Sequence, residues 1–151
     1  MMKQAKLLAI LAALAMAVAP AAFAQSSNLL RVKLDGFRSN KGKARCALFN
    51  DSDPSAFPKK TEKARRRDHP GTIGNAYSEI DFTGIPTGKY ALVCYHDEND
   101  NGKFDESILG MPKEGYCFSN NVKPTISAPK FSDCAFDYKG GDQSISITMI
   151  Y

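Results

Sequence analysis

Apolar and polar residues alternate along much of the chain. In Asn28 to Phe37, Leu30, Val32 and Leu34 fall on one face and Arg31, Lys33 and Asp35 on the other, the period of a half-buried strand. Ser39 to Gly42 reads as a turn and Lys43 to Asn50 as a second strand, so the pair predicts a hairpin. Ala76 to Phe82 is a third strand. Lys89 to His96 sets Tyr90, Leu92, Cys94 and His96 against Ala91, Val93 and Tyr95. Apolar residues at both phases predict burial on both faces. Gly115 to Phe118 and Phe131 to Tyr138 are further strand candidates. Gln143 to Tyr151 closes the chain with Ile145, Ile147 and Met149 against Ser144, Ser146 and Thr148.

Between these runs, Asp53-Pro54 has the form of a helix N-cap followed by proline at the first helical position. Lys59 to Arg67 reads as a short exposed helix or an ordered loop. Ile108 to Met111 is a brief apolar stretch ended by Pro112, and Asn120 to Pro129 is a loop. Six or seven strands without a long helix predict an all-β fold. The expected architecture is an immunoglobulin-like or transthyretin-like β-sandwich of about seven strands.

The N-terminus carries a different pattern. Lys3 and Lys6 precede the apolar run Leu7 to Ala19, and Ala22-Phe23-Ala24 supplies small residues before Gln25. That is the form of a secretory signal peptide over 1–24, and the run is short of the roughly 20 residues of a membrane span. Residues 25–151 are then one domain, large enough for its own core, periplasmic or secreted. The formal charge of +4 falls to +2 once Lys3 and Lys6 are removed with no acid. A balance that small gives no electrostatic case for nucleic acid. The basic run Lys59, Lys60, Lys63, Arg65, Arg66 and Arg67 reads either as a solvated face or as contacts to an anionic surface, lipid or acidic polymer.

Four cysteines, Cys46, Cys94, Cys117 and Cys134, in an exported chain suggest two disulfides. Spacing permits three pairings. Similar strand patterns around Cys46 and Cys94, and the proximity of Cys117 to Cys134, favour 46–94 with 117–134. Paired Cys/His spacings of a zinc site are absent.

The densest polar chemistry follows the strand ending at His96. Asp97, Asn99, Asn101, Gly102 and Asp105 take positions 1, 3, 5, 6 and 9 of a wrapped loop. Alternate side chains then converge their oxygens, and glycine permits the bend, as in an EF-hand calcium loop. The Lys103 carbonyl would be a fifth ligand, with Glu106 or Glu114 completing the shell. Position 12 is Ile108 and a strand precedes the loop, so this is not an EF-hand. Hard oxygen ligands point to Ca²⁺, and two clear carboxylates to binding in the roughly 10⁻⁴ to 10⁻³ M range of extracellular modules. The competing reading is a self-capped polar loop, since Asn and Asp form Asx-turns and Asn101-Gly102 alone favours a turn.

Cys94 and His96 share a strand face, which suits a thiolate–imidazole pair or, in an oxidising compartment, a disulfide cysteine beside a loop-anchoring histidine. His69 reads as an ordinary loop residue. Serine hydrolase, zinc protease, phosphate-loop and dinucleotide signatures are absent. No tryptophan is present to stack on a sugar.

The segment PTGKYALVCYHDENDNGKFDESILGMPKEGYCFSNN, with Pro129-Lys130-Phe131 and the closing strand, resembles a bacterial exported family, domain-of-unknown-function family number 2141. The shared pattern runs through Gly88, Tyr90, Ala91, His96 to Asn99, Asn101, Gly102, Asp105, Gly110, Pro112, Glu114 to Tyr116, and Phe118 to Asn121. Cys94, Cys117 and Cys134 lie outside that pattern. The resemblance implies a secreted or periplasmic β-sandwich and no particular activity.

Three functional expectations result. The first is a non-enzymatic envelope binding module for a protein or ligand, with a calcium loop at Asp97, Asn99, Asn101, Lys103 and Asp105 and with His96 and Glu114 as binding residues. The second is a metal-assisted hydrolase centred on His96 and the acidic loop. The third is an anionic-surface binder using residues 59–67.

Overall fold

The computed structural model describes residues 28–67 and 70–151. The expected signal segment, 1–24, and His69 lie outside the described residues. Nine strands occur among them: β1 (Leu29–Asp35), β2 (Lys43–Asn50), β3 (Arg66–Arg67), β4 (Gly71–Thr72), β5 (Tyr77–Thr83), β6 (Gly88–Asp97), β7 (Tyr116–Phe118), β8 (Phe136–Tyr138) and β9 (Asp142–Thr148). One helical turn, α1 (Phe131–Cys134), and 3-10 turns at Pro54–Ala56, Thr61–Lys63 and Ser119–Asn121 complete them. The chain is all-β, as its patterning predicts. No helix among the described residues is long and apolar enough to cross a membrane.

The strands form two sheets. One has the order β5-β1-β9, with β1 antiparallel to β5 and parallel to β9. The other has the order β3-β2-β6-β7, with β4 also on β2 and β8 also on β6. The predicted β1–β2 hairpin is therefore not formed, because the two strands belong to different sheets. Both present an apolar face to the same core, Leu30, Val32 and Leu34 from β1 against Ala44, Cys46 and Leu48 from β2. Facing each other across that core buries both stripes, whereas side-by-side pairing would leave each stripe needing another cover. Burial contributes roughly 1.5–3 kcal/mol per large apolar side chain, and Leu30, Val32 and Leu34 are fully buried.

β6 is apolar on both faces because it is covered on both. Tyr90, Leu92 and Cys94 join the inter-sheet core. Ala91 on the other face joins Ala47, Phe49 and Phe118 beneath Ala56, Phe57, Phe131 and Cys134. Phe57 packs edge-on against Phe49, Phe118 and Phe131 at centroid distances of 5.3, 6.0 and 6.1 Å, a geometry aromatic quadrupoles favour.

Phe131 to Tyr138 is only partly the predicted strand, since its first four residues are α1 and the strand begins at Phe136. The Asp133 carboxylate accepts the Lys130 N–H at 2.9 Å, fixing a helical turn. That turn places Phe131 and Cys134, three residues apart, on one face, both in the outer cluster.

The disulfides also differ from expectation. Cys46 and Cys94 are bonded, with Cα atoms 4.1 Å apart, but Cys117 and Cys134 are free and buried. Cys117 points into the inter-sheet core and Cys134 into the cluster on the opposite side of the same sheet, so no side-chain rotation can join them.

Candidate functional site at the loop between β6 and β7

The predicted loop residues are brought together, largely through one another. Asp97, the last residue of β6, is fully buried. Its Oδ1 accepts the Asn101 N–H at 3.0 Å and its Oδ2 the Gly102 N–H at 2.9 Å. Asn99 Oδ1 also accepts from the Asn101 N–H, at 3.1 Å, and Asn101 Oδ1 accepts the Lys103 N–H at 2.8 Å. Each side chain at loop positions 1, 3 and 5 thus caps a backbone donor further on, the Asx-turn economy expected of Asp and Asn. Gly102 sits at φ +77°, where a side chain would be strained.

The second half of the loop is tied to the first. Asn99 Nδ2 donates to Asp105 Oδ2 at 2.7 Å, and Asn101 Nδ2 reaches both Asp105 oxygens at 3.2 and 3.1 Å. These donors hold the Asp105 carboxyl below its usual pKa, Asn101 contributing most, with help from Lys113 and Lys103. Glu114 is 5% exposed. Its Oε1 accepts the Glu98 N–H at 2.9 Å and its Oε2 the Asp105 N–H at 3.1 Å. The Glu114 carboxylate is thus a clasp between the two legs of the loop.

Arg45 supplies the cation at the centre. Its Nε lies 2.5 Å from Asp97 Oδ2 and its Nη2 3.1 Å from Asp100 Oδ1. Burial works against its charge, but the hydrogen bond and charge of Asp97 outweigh it, so the guanidinium pKa is raised. Sequence reading missed Arg45. Its signal was a basic residue in KARCALFN on the strand phase that runs Lys43, Arg45, Ala47, Phe49, next to the apolar pair.

His96 is fully buried, with its Nδ1 4.0 Å from Glu98 Oε1. Its Nε2 lies 2.7 Å from the Lys41 carbonyl, which can only accept, so Nε2 carries a proton. Its Nδ1 lies 2.7 Å from the Tyr151 hydroxyl, which in turn accepts the Arg38 N–H at 3.1 Å. Arg38 stacks over the Tyr151 ring, 4.6 Å from its centroid, and pairs with Glu98 at 2.6 Å. Cys94, on the same strand face, is held in its disulfide. Two glycines make this closeness feasible. A Cβ on Gly42 would fall 1.9 Å from the Asp97 carbonyl oxygen, and one on Gly115 2.4 Å from the Tyr151 ring.

Asp105 begins a hairpin aimed into solvent. Lys113 N–H donates to the Asp105 carbonyl, Ser107 N–H to Met111 and Gly110 N–H to Ser107. The Ser107 hydroxyl accepts a further bond from the Met111 N–H. At the tip, Ile108, Leu109 and Met111 are 105, 90 and 64% exposed.

The segment after β7 is structural. Ser119 Oγ accepts the Leu92 N–H and donates to the Cys134 carbonyl, at 2.9 and 2.5 Å. Asn120 Nδ2 donates to Ala135 at 2.9 Å, and Asn121 Oδ1 accepts the Thr148 N–H at 2.9 Å. Both asparagines adopt positive φ.

These contacts span the segment that carries the sequence pattern. Residues 32–146 match the family described as uncharacterized protein conserved in bacteria (DUF2141). The chain belongs to that family. No curated protein and no solved structure matches it. In this DUF2141 member the pattern divides into three physical parts: a buried His-Asp pair, a self-capped loop clasped by Glu114, and a Ser-Asn-Asn tie joining β6, α1 and β9.

The basic run 59–67 is not a single helix. Thr61–Lys63 is a 3-10 turn and Arg66–Arg67 is β3, on the edge of β2. Lys63 pairs with Asp53 at 3.4 Å. No cluster of three or more His, Cys, Asp or Glu side chains poised for a metal occurs among the described residues.

Proposed function

We propose that this chain is an exported, non-catalytic binding module whose contact face is the loop end from Asp97 to Met111, carried on an immunoglobulin-like or transthyretin-like sandwich. The observation that carries this reading is the hairpin tip. The polar groups of the pattern are largely engaged in holding a defined loop, and the large apolar side chains that loop offers to solvent are Ile108, Leu109 and Met111. Clustered exposed apolar side chains mark interaction surfaces, and covering three of them is worth roughly 5–8 kcal/mol before association costs. A hydrolase centred on His96 would have to break both of that ring's hydrogen bonds before it could meet a substrate.

Photo-crosslinking residues placed at Leu109 and, as control, at Glu79 on the outer face of β5 test it in the exporting cell. The expected result is a discrete adduct from Leu109 only, lost when Ile108 and Met111 are changed to Ser. The same adduct pattern from both positions refutes the reading.

Calcium binding is the second reading, favoured by a loop already wrapped so that the Asn101, Gly102 and Lys103 N–H groups meet side-chain oxygens. Asp97, Asn99, Asn101, the Lys103 carbonyl and Asp105 would hold the ion. Arg45 would have to leave Asp97, and the Asn99 and Asn101 amides would have to turn their oxygens inward. Calorimetric titration of Ca²⁺ into chelator-treated protein decides it. Millimolar or tighter binding that is absent from an Asp97→Ala, Asp105→Ala variant supports the reading, and absence of heat and thermal shift in the unaltered protein refutes it.

A further inference from the structure

Cys46, Cys94 and Cys117 lie on one rung of the larger sheet. Cys46 is the register partner of Cys94 across β2 and β6, and Cys117 is the partner of Cys94 across β6 and β7. All three side chains enter the inter-sheet core. Side chains on one rung of three adjacent strands form a line across the sheet, strands being about 4.8 Å apart. The Cys117 thiol is therefore next in line after the two bonded sulfurs.

The backbone pattern shows that the second position also suits a bridge. The His96 N–H donates to the Gly115 carbonyl and the Leu92 N–H to Ser119 Oγ, so the even-numbered residues of β6 turn their N–H groups toward β7. Cys94 and Cys117 are then a hydrogen-bonded antiparallel pair, with Cα atoms about 5.5 Å apart. Disulfide Cα separations run from about 4.4 to 6.8 Å, most often about 5.5–6 Å. Cys46 and Cys94 occupy the closer, non-hydrogen-bonded kind of pair, consistent with their 4.1 Å separation.

We propose that Cys94 has two alternative partners, and that the disulfide passes between 46–94 and 94–117 by internal thiol–disulfide exchange. Cys117 loses its proton and its sulfur attacks Cys94 Sγ. The Cys46–Cys94 bond breaks and Cys46 leaves as a thiolate that takes up the proton. One S–S bond is exchanged for another, so no oxidant or reductant is needed. Cys134, on the opposite face, takes no part. The consequence falls on the functional loop, because a 94–117 bridge closes the neck of the segment that carries Asp97 to Glu114, whereas a 46–94 bridge leaves that neck held by hydrogen bonds. Burial, helped by the charge of Asp35, pushes the Cys117 thiol well up. Exchange is accordingly slow, on the minutes-to-hours scale of uncatalysed rearrangement or longer.

The test uses a Cys134→Ser background. Protein held for a day at pH 8 with a catalytic amount of reduced glutathione is acid-quenched, digested without reduction and mapped by mass spectrometry. The expected map contains a 94–117 cross-linked peptide beside 46–94, and a Cys117→Ser version contains 46–94 alone. A second variant, Cys46→Ser, is equilibrated with oxidised glutathione and checked for native circular dichroism. After acid quench and unfolding in denaturant it should show the 94–117 bond and no alkylatable thiol at Cys94 or Cys117. A Cys134→Ser map showing 46–94 alone, or a Cys46→Ser protein of native circular dichroism whose Cys94 and Cys117 are both alkylated once unfolded, would overturn the proposal.

Discussion

Replacing Asp97 with Ala removes three hydrogen bonds at once, to the N–H groups of Asn101 and Gly102 and to Arg45 Nε. Each charge-assisted bond has a net worth of roughly 1.5–3 kcal/mol. The loop amides recover much of their share by meeting water, because Asn101 and Gly102 are exposed. Arg45 recovers less. Its side chain is 22% exposed and its remaining acid, Asp100, is half in solvent. The net cost should be about 3 kcal/mol, at the low end of the roughly 3–5 kcal/mol for breaking a buried pair. For a domain of this size that corresponds to roughly 10 °C in melting temperature. Asp97→Asn keeps an acceptor oxygen and should lose about half as much. Asp100→Ala removes only an exposed pair and should cost about 1 kcal/mol or less. Urea unfolding at neutral pH, with the disulfide intact, measures all three. An Asp97→Ala cost no larger than that of Asp100→Ala would refute the argument that buried charge holds this loop. Coupling near zero in an Arg45/Asp97 double-mutant cycle would do the same.

Gly42→Ala should destabilise by more than about 2 kcal/mol in the same unfolding assay, because its Cβ meets the Asp97 carbonyl at 1.9 Å at a backbone φ of +67°. A near-neutral result would mean that the loop base is not packed as described. Cys117 and Cys134 should resist alkylation at pH 8 in the native protein and react only on unfolding, since burial raises both thiols, Cys134 to about 12. Rapid native labelling of either would contradict this. The Asp105 carboxyl should titrate by NMR below the ordinary 3.8, held down by Asn101 and Asn99. Its folded pKa is depressed, so its contribution to stability is present above the unfolded value and lost as pH falls through the folded one; titration at or above 3.8 would refute it. Removing the Cys46–Cys94 cross-link, with Cys117 also changed to Ser so that no replacement forms, should cost about 4 kcal/mol for a sequence separation of 48. Thermal unfolding of that variant against the oxidised protein is the check.

What the sequence determined by itself was local. Alternation over Leu30, Val32 and Leu34 and over Tyr90, Leu92 and Cys94 was enough for β1 and β6, because side-chain burial in a strand has period two. The Asp-x-Asn-x-Asn-Gly spacing was enough for the wrapped loop, because Asx capping acts over two to five residues. Tertiary structure decided what depends on distant chain. β1 faces β2 instead of pairing with it, since both apolar stripes had to share one core. Cys117 and Cys134 separate because the phase of β7 and the turn of α1 send them to opposite sides of one sheet. Arg45 and Tyr151 reach Asp97 and His96 across 52 and 55 residues of chain, a juxtaposition no local pattern encodes, because only sheet register sets which side chains meet.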